Sequence, residues 1–182
     1  MSRDRVFAWH LELRSVHRRL EKALEDARRA IRSGQRTQAL NPELRSFCYT
    51  FCSVLGNHHR SEDADFFPAL LKQMPELEPV ITRLGREHQV LAQLLADFQQ
   101  SLDSPETPPQ QLFLQINNIK AFMKAHFAYE EGSLNRALRA LDASESEKGR
   151  MFGDFSSAES VSGGRQDEPA WWRKWNGSAS KG

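Results

Sequence analysis

His58-His59-Arg60-Ser61-Glu62-Asp63 decides how this chain is read, and it is echoed at His126-Phe127-Ala128-Tyr129-Glu130-Glu131. Both stretches read H-x-x-x-E-acid. On an α-helix, residues four apart lie about 6 Å along the axis and about 40° around it. His58 and Glu62 therefore reach one point from a single helix, and His126 and Glu130 do the same from another. An imidazole and a carboxylate from each of two helices form a mixed N/O donor set suited to iron, manganese or zinc. The thiolates of a structural zinc site are missing.

The flanking sequence supplies the helices. Val6 to Ile31 carries Phe7, Leu11, Leu13, Val16, Leu20, Ala23, Leu24, Ala27 and Ile31 at helical spacing, and Ser33-Gly34 ends the run. Asn41-Pro42-Glu43 is a helix start, with a capping Asn and a Pro in the first turn. The second helix is expected to reach about Lys72, with Pro68 bending it or opening a tighter last turn. A third is expected over Glu76 to Leu102, on a stripe of Leu77, Val80, Ile81, Leu84, His88, Leu91, Leu95 and Phe98. Asp103 to Pro109 is a break, and a fourth helix follows to Leu141. No segment alternates as a strand does. The expected fold class is all-α, an up-down-up-down four-helix bundle over residues 1–142. Residues 143–182 are rich in Ser, Gly, Glu and Asp and read as a disordered C-terminal tail, interrupted by Trp171, Trp172 and Trp175. Those tryptophans leave open a tail that binds an unknown partner.

Composition sets outer limits. The chain has 182 residues, 39% hydrophobic and 27% charged, with a net charge of +1. Nothing in that balance points to nucleic acid or an anionic membrane. No apolar run approaches the length of about 18 residues that would cross a bilayer. No signal core follows the N-terminus, so a cytoplasmic location is expected. Cys48 and Cys52 are read as buried thiols, because a four-residue helical spacing suits a disulfide poorly.

Two further histidines complete the constellation. His88 lies in the apolar stripe of the third helix, and His17 lies between Val16 and Leu20 on the first. The order His17-x-x-Leu20, then H-x-x-x-E, recurs as His88-x-x-Leu91, then H-x-x-x-E. One helical hairpin has been used twice, which makes the expected site pseudo-twofold. The metal-ligand set is then His17, His58, Glu62, His88, His126 and Glu130. His10 competes with His17, and depth decides between them. His17 stands 17 residues before Gly34, while His58 stands 17 after Asn41. Antiparallel helices thus bring His17 level with His58 and leave His10 nearly two turns away. His59, about 100° around from His58, is an additional ligand or a neighbour of the site. Phe47, Phe51 and Leu55 share the His58 face and are expected to wall it. A single histidine on an apolar face is more often a hydrogen-bonded core residue than a ligand. Four of them at one depth, with two buried glutamates, would be costly without a cation.

The set His17-Arg18-Arg19-Leu20, His58-His59-x-x-Glu62-Asp63 with Phe66-Phe67-Pro68, Glu87-His88-x-x-Leu91 and His126-Phe127-x-x-Glu130-Glu131 resembles the hemerythrin-like, or HHE cation-binding, family. The opening Trp9 to His17 is similar to bacterial members of actinobacterial type. The resemblance covers Val6 to Leu141. It implies a non-haem diiron cofactor, two irons joined by an oxo or hydroxo bridge, inside a hemerythrin-like bundle. It also implies a small partner: dioxygen, nitric oxide or peroxide. Invertebrate hemerythrin carries a second histidine four residues on in its third helix, where this chain has Ala92. That departure suggests a more open second iron, and it favours a peroxidase-like or nitric oxide-detoxifying enzyme over an oxygen carrier. A non-catalytic oxygen- or iron-binding module that signals its redox state through the tail is the alternative.

Overall fold

The structure, a computed structural model, describes residues 3–34 and 42–140, with side chains from residue 11 onward apart from 34, 43, 44 and 140. The tail and the side chain of His10 lie outside the described residues. Helix α1 spans Arg3–Gly34 and α2 spans Pro42–Ser61. A π-helical turn, Glu62–Phe66, joins α2 to the short α3, Phe67–Gln73. A 3-10 turn at Pro75–Leu77 leads into α4, Glu78–Asp103, and α5 runs Pro109–Ala140. Taking α2 and α3 as one broken rod, these are the four rods of an all-α bundle. No strand occurs among the described residues, and none of their helices is long and apolar enough to cross a membrane.

Proline shapes three of the helix ends. Pro42 and Pro109 open α2 and α5, and Pro79 sits in the first turn of α4, where a missing N–H costs nothing. Pro68 acts differently from the expectation of a bend or a tighter turn: the turn before it is wider. Phe67 donates its backbone N–H to the Glu62 carbonyl, five residues back. Pro68 has no N–H to give, so an uninterrupted α-ladder is unavailable there. A π turn absorbs one extra residue and rotates everything after it by about 100° relative to a continuous helix. Phe66, Phe67 and Leu70 are all buried beyond it. Deleting Ala64 should close the turn to α-geometry and swing those side chains out of register. The expected result is a sharply lower melting temperature by circular dichroism, together with loss of bound metal.

Two apolar clusters fill the interior. One holds Val16, Leu20, Leu24, Leu55, Leu91, Leu95, Ile119, Met123 and Phe127 among others. The second holds Leu13, Phe66, Phe67, Leu70, Ile81, Leu84, Leu134 and Leu138. Each fully buried aliphatic side chain contributes about 1.5–3 kcal/mol relative to exposure. The division between the clusters positions the site, because every rod changes cluster at its histidine. Leu13 gives way to His17 and Leu20, Leu84 to His88 and Leu91. Leu55 gives way to His58, His59 and Phe66, and Met123 to His126 and Leu134. A polar layer one helical turn deep therefore cuts the core at a single level.

Candidate metal centre

Seven ionisable side chains form that layer: His17, His58, His59, Glu62, His88, His126 and Glu130, all buried. The antiparallel pairing of α1 with α2 brings His17 to His58, with ring centroids 5.3 Å apart. His17 and His58 thus stand at one level, as the residue count from the link between the helices expects. His59 is also inside: its ring stacks on His88 at 4.2 Å and meets His126 edge-on at 5.3 Å. Ring nitrogens of His59, His88 and His126 lie within 4.8 Å of one another, as do ligand atoms of His17, His58 and Glu62. Two adjoining pockets result. One offers three imidazoles, and the other offers two imidazoles with a carboxylate.

The glutamates tie the pockets together. Glu62 sets Oε1 3.2 Å from His58 Nε2 and Oε2 3.5 Å from His88 Nε2. Glu130 Oε2 lies 3.3 Å from His17 Nε2 and 3.9 Å from His126 Nε2. Each carboxylate therefore reaches one histidine on its own helix and one from the other hairpin, as a bridging ligand must.

The outer ring nitrogens are engaged by carboxylates. His17 Nδ1 donates to Glu131 at 2.9 Å, His88 Nδ1 to Asp63 at 2.8 Å, and His126 Nδ1 to Glu87 at 2.8 Å. An ionised carboxylate only accepts, so each Nδ1 carries the proton and each Nε2 turns a lone pair inward. There the Nε2 atoms of His17, His59, His88 and His126, and both oxygens of Glu62 and Glu130, find no hydrogen-bond partner. Buried acceptors facing acceptors repel unless a proton or a cation stands between them. Carboxylate–histidine pairs of this kind orient metal ligands. The residues present fit a metal.

Protonation in the metal-free bundle follows the same geometry. Burial pushes Glu62 well above the usual carboxylate range, and the neighbouring Glu130 and Asp63 add to this. Burial also acts to raise Glu130, but the His17 ring beside it and the surrounding imidazoles outweigh it and hold Glu130 low. Burial acts to lower His17, yet the Glu130 carboxylate 3.3 Å from Nε2 and the Glu131 carboxylate bonded to Nδ1 leave it raised. His59 is pulled well down by burial and by the four imidazoles around it. His126 is lowered by burial, against the pull of Glu130 and Glu87.

The apolar wall differs in part from expectation. Phe51 and Leu55 are buried in the first cluster, with Phe47 packed against it. The rings stacked on the imidazoles are others: Phe127 on His17 at 3.8 Å and Phe67 on His88 at 5.4 Å. Glu87 as the partner of His126 was missed as well, although it stands inside the quoted Glu87-His88 pair. Asp63 and Glu131 follow the two H-x-x-x-E units directly, and that position was the signal for their role. Cys48 and Cys52 are free, and burial pushes both thiols up to about 12. Neither belongs to the metal cluster.

His17→Ala should remove or loosen one metal, whereas His10→Ala should leave the optical spectrum of the loaded protein nearly intact. Reversed outcomes would show that α1 is misplaced by about two turns.

Residues 11–138 match the family model described as the Hemerythrin HHE cation binding domain. No curated protein and no solved structure matches the chain.

Proposed function

The chain belongs to the hemerythrin HHE cation-binding family; on that premise we propose that it is a non-haem diiron protein that binds and reduces small oxidants, with peroxide or nitric oxide as its substrate. The observation that carries this reading is the convergence of buried, partnerless Nε2 and carboxylate oxygen atoms from all four rods on one layer. Iron bound there would supply electrons in pairs and a coordination position open to a small ligand. His59, His88 and His126 would hold one metal, and His17 and His58 the other, with Glu62 and Glu130 across both.

The two pockets differ through a break in the repeat. His59 and Phe127 occupy equivalent positions after His58 and His126. One half of the site therefore presents an imidazole where the other presents a phenyl ring. The phenyl ring of Phe127 lies flat on His17 and covers one face of that imidazole on the two-imidazole side. His59 also supplies a third imidazole despite Ala92, so an open coordination position created by Ala92 no longer argues for turnover. Proton supply still does. Asp63 is 45% exposed and bonds directly to His88, and Glu131 is 21% exposed and bonds to His17. Reduction of peroxide to water consumes protons, and these carboxylates connect solvent to the buried rings.

The test is anaerobic reduction of the iron-loaded chain followed by rapid mixing with dioxygen, nitric oxide and peroxide in turn. Catalytic consumption of peroxide or nitric oxide above that of free iron is expected, with no long-lived oxygen complex. A complex that returns its oxygen under vacuum, with no turnover of the other two, would make the protein a carrier.

A further inference from the structure

The internal repeat pairs His17 with His88 and Glu131 with Asp63. In both halves the acid after one H-x-x-x-E unit crosses to the histidine of the other hairpin. The halves differ one step further out. Arg14 donates Nε to Glu131 Oε2 at 3.0 Å, behind the carboxylate that holds His17. Arg14 stands three residues before His17, and the residue three before His88 is Gly85. A β-carbon on Gly85 would lie 3.9 Å from Asp63 Oδ1, an ordinary contact, so an arginine side chain could start from that point. Among the described residues, no guanidinium or ammonium group is paired with Asp63. The His126 chain is again neutralised, by a residue the repeat does not explain. Arg83 donates Nε to Glu87 Oε1 at 2.8 Å, and Glu87 Oε2 accepts from His126 Nδ1. The Arg83 guanidinium also lies 3.6 Å from the centre of the Tyr129 ring, which fixes its position. Of three carboxylate-backed imidazoles, two are backed in turn by arginine and one is not.

We propose that Arg14 and Arg83 are positioning residues that set the redox poise of the metal pair, and that Gly85 leaves the His88 end without this control. The inference rests on the iron reading above. A carboxylate that accepts Nδ1–H draws that proton outward and makes the ring a stronger donor through Nε2, which favours the more oxidised metal. An arginine on the same carboxylate shares its charge and weakens that draw. Removing the arginine therefore favours oxidation, and supplying one at position 85 favours reduction.

Spectroelectrochemical titration of the full, iron-loaded chain tests this, with iron content measured on every variant. At the wild-type midpoint, Arg14→Gln and Arg83→Gln should each raise the ratio of oxidised to reduced protein by about two- to fivefold, the range of a partly exposed ion pair. Gly85→Arg should lower the ratio by a similar factor. It removes no existing side chain, and replacing a half-buried helical glycine favours the helix, so its effect can be read even if an arginine deletion weakens the fold. Arg14→Lys, which keeps the charge, should stay near wild type. So should Arg86→Gln, an equal charge change on an exposed neighbour outside the network. Unmoved ratios, or Gly85→Arg shifting in the same direction as Arg14→Gln, would overturn the inference and leave the iron reading standing. A wild-type chain that takes up no iron would remove both.

Discussion

His59→Leu should cost the protein one of its two metals while making the metal-free bundle more stable. The opposite signs follow from one feature. His59 is buried, its Nε2 has no hydrogen-bond partner, and burial together with the neighbouring rings keeps it neutral. An unpartnered buried polar atom costs about 1–3 kcal/mol. Leucine is close to histidine in volume and removes that atom without opening a cavity. The metal-free variant should therefore melt several degrees higher, a shift expected from about 1 kcal/mol in a domain of this size. In the loaded protein the same change removes one of three imidazoles from the His59, His88, His126 pocket. Metal content should fall from about two per chain to about one. Differential scanning calorimetry of the metal-free form, and metal analysis of the loaded form, read the two effects separately. A variant that keeps both metals would return His59 to the role of a packed neighbour.

Metal loading should raise stability by about as much as a severe large-to-small substitution in the core lowers it, and the gain should shrink in acid. At free metal 1,000 times the dissociation constant, linkage gives about 4 kcal/mol. The pH dependence follows from what must leave the site. In the metal-free bundle His17 is held above its ordinary value by Glu130 and Glu131, and Glu62 is held above the carboxylate range by burial. Both groups retain protons that a metal must displace. As pH falls through the raised His17 value, proton competition grows and the stabilisation by metal falls. As pH rises above it, fewer protons are released per metal. His17 also contributes to the metal-free form in its own right. Its folded value lies above its unfolded one, so that contribution is complete below the unfolded value and is lost as pH rises through the folded one. Loading should therefore add least to stability in mild acid and most in mild alkali. Thermal melts with and without ferrous iron across that window measure the difference, and a gain independent of pH would mean that the metal binds outside this layer.

Much of the architecture was legible in the sequence because it rests on two strong periodic signals. Helical stripes located the rods, and the paired H-x-x-x-E units located their common level. The count of residues from Gly34 to His17 and from Asn41 to His58 matched them in depth, since rise per residue is nearly constant in a helix. What escaped depends on rotation about the helix axis or on length of reach. The π turn at Glu62–Phe66 arises from the missing N–H of Pro68 and from the burial of Phe66 and Phe67 together, and no local propensity encodes it. His59 lies about 100° from His58, outside the idealised stripe, yet its ring reaches His88 and His126. Glu87 stood next to His88 in the sequence and was read as part of that helix, whereas its carboxylate turns to His126 on α5. Ala92 was legible as a missing imidazole, but the approach of the His59 ring to His88 and His126 from another rod depends on tertiary packing.

Five imidazoles and two bridging carboxylates would hold two metals in this layer. Metal analysis combined with Mössbauer spectroscopy, on the full chain purified from cells grown with enriched iron, tests it most directly. About two irons per chain are expected, as a magnetically coupled pair with two distinguishable environments, one richer in imidazole. One isolated iron per chain, or stoichiometric zinc with no iron under iron-replete growth, would contradict it.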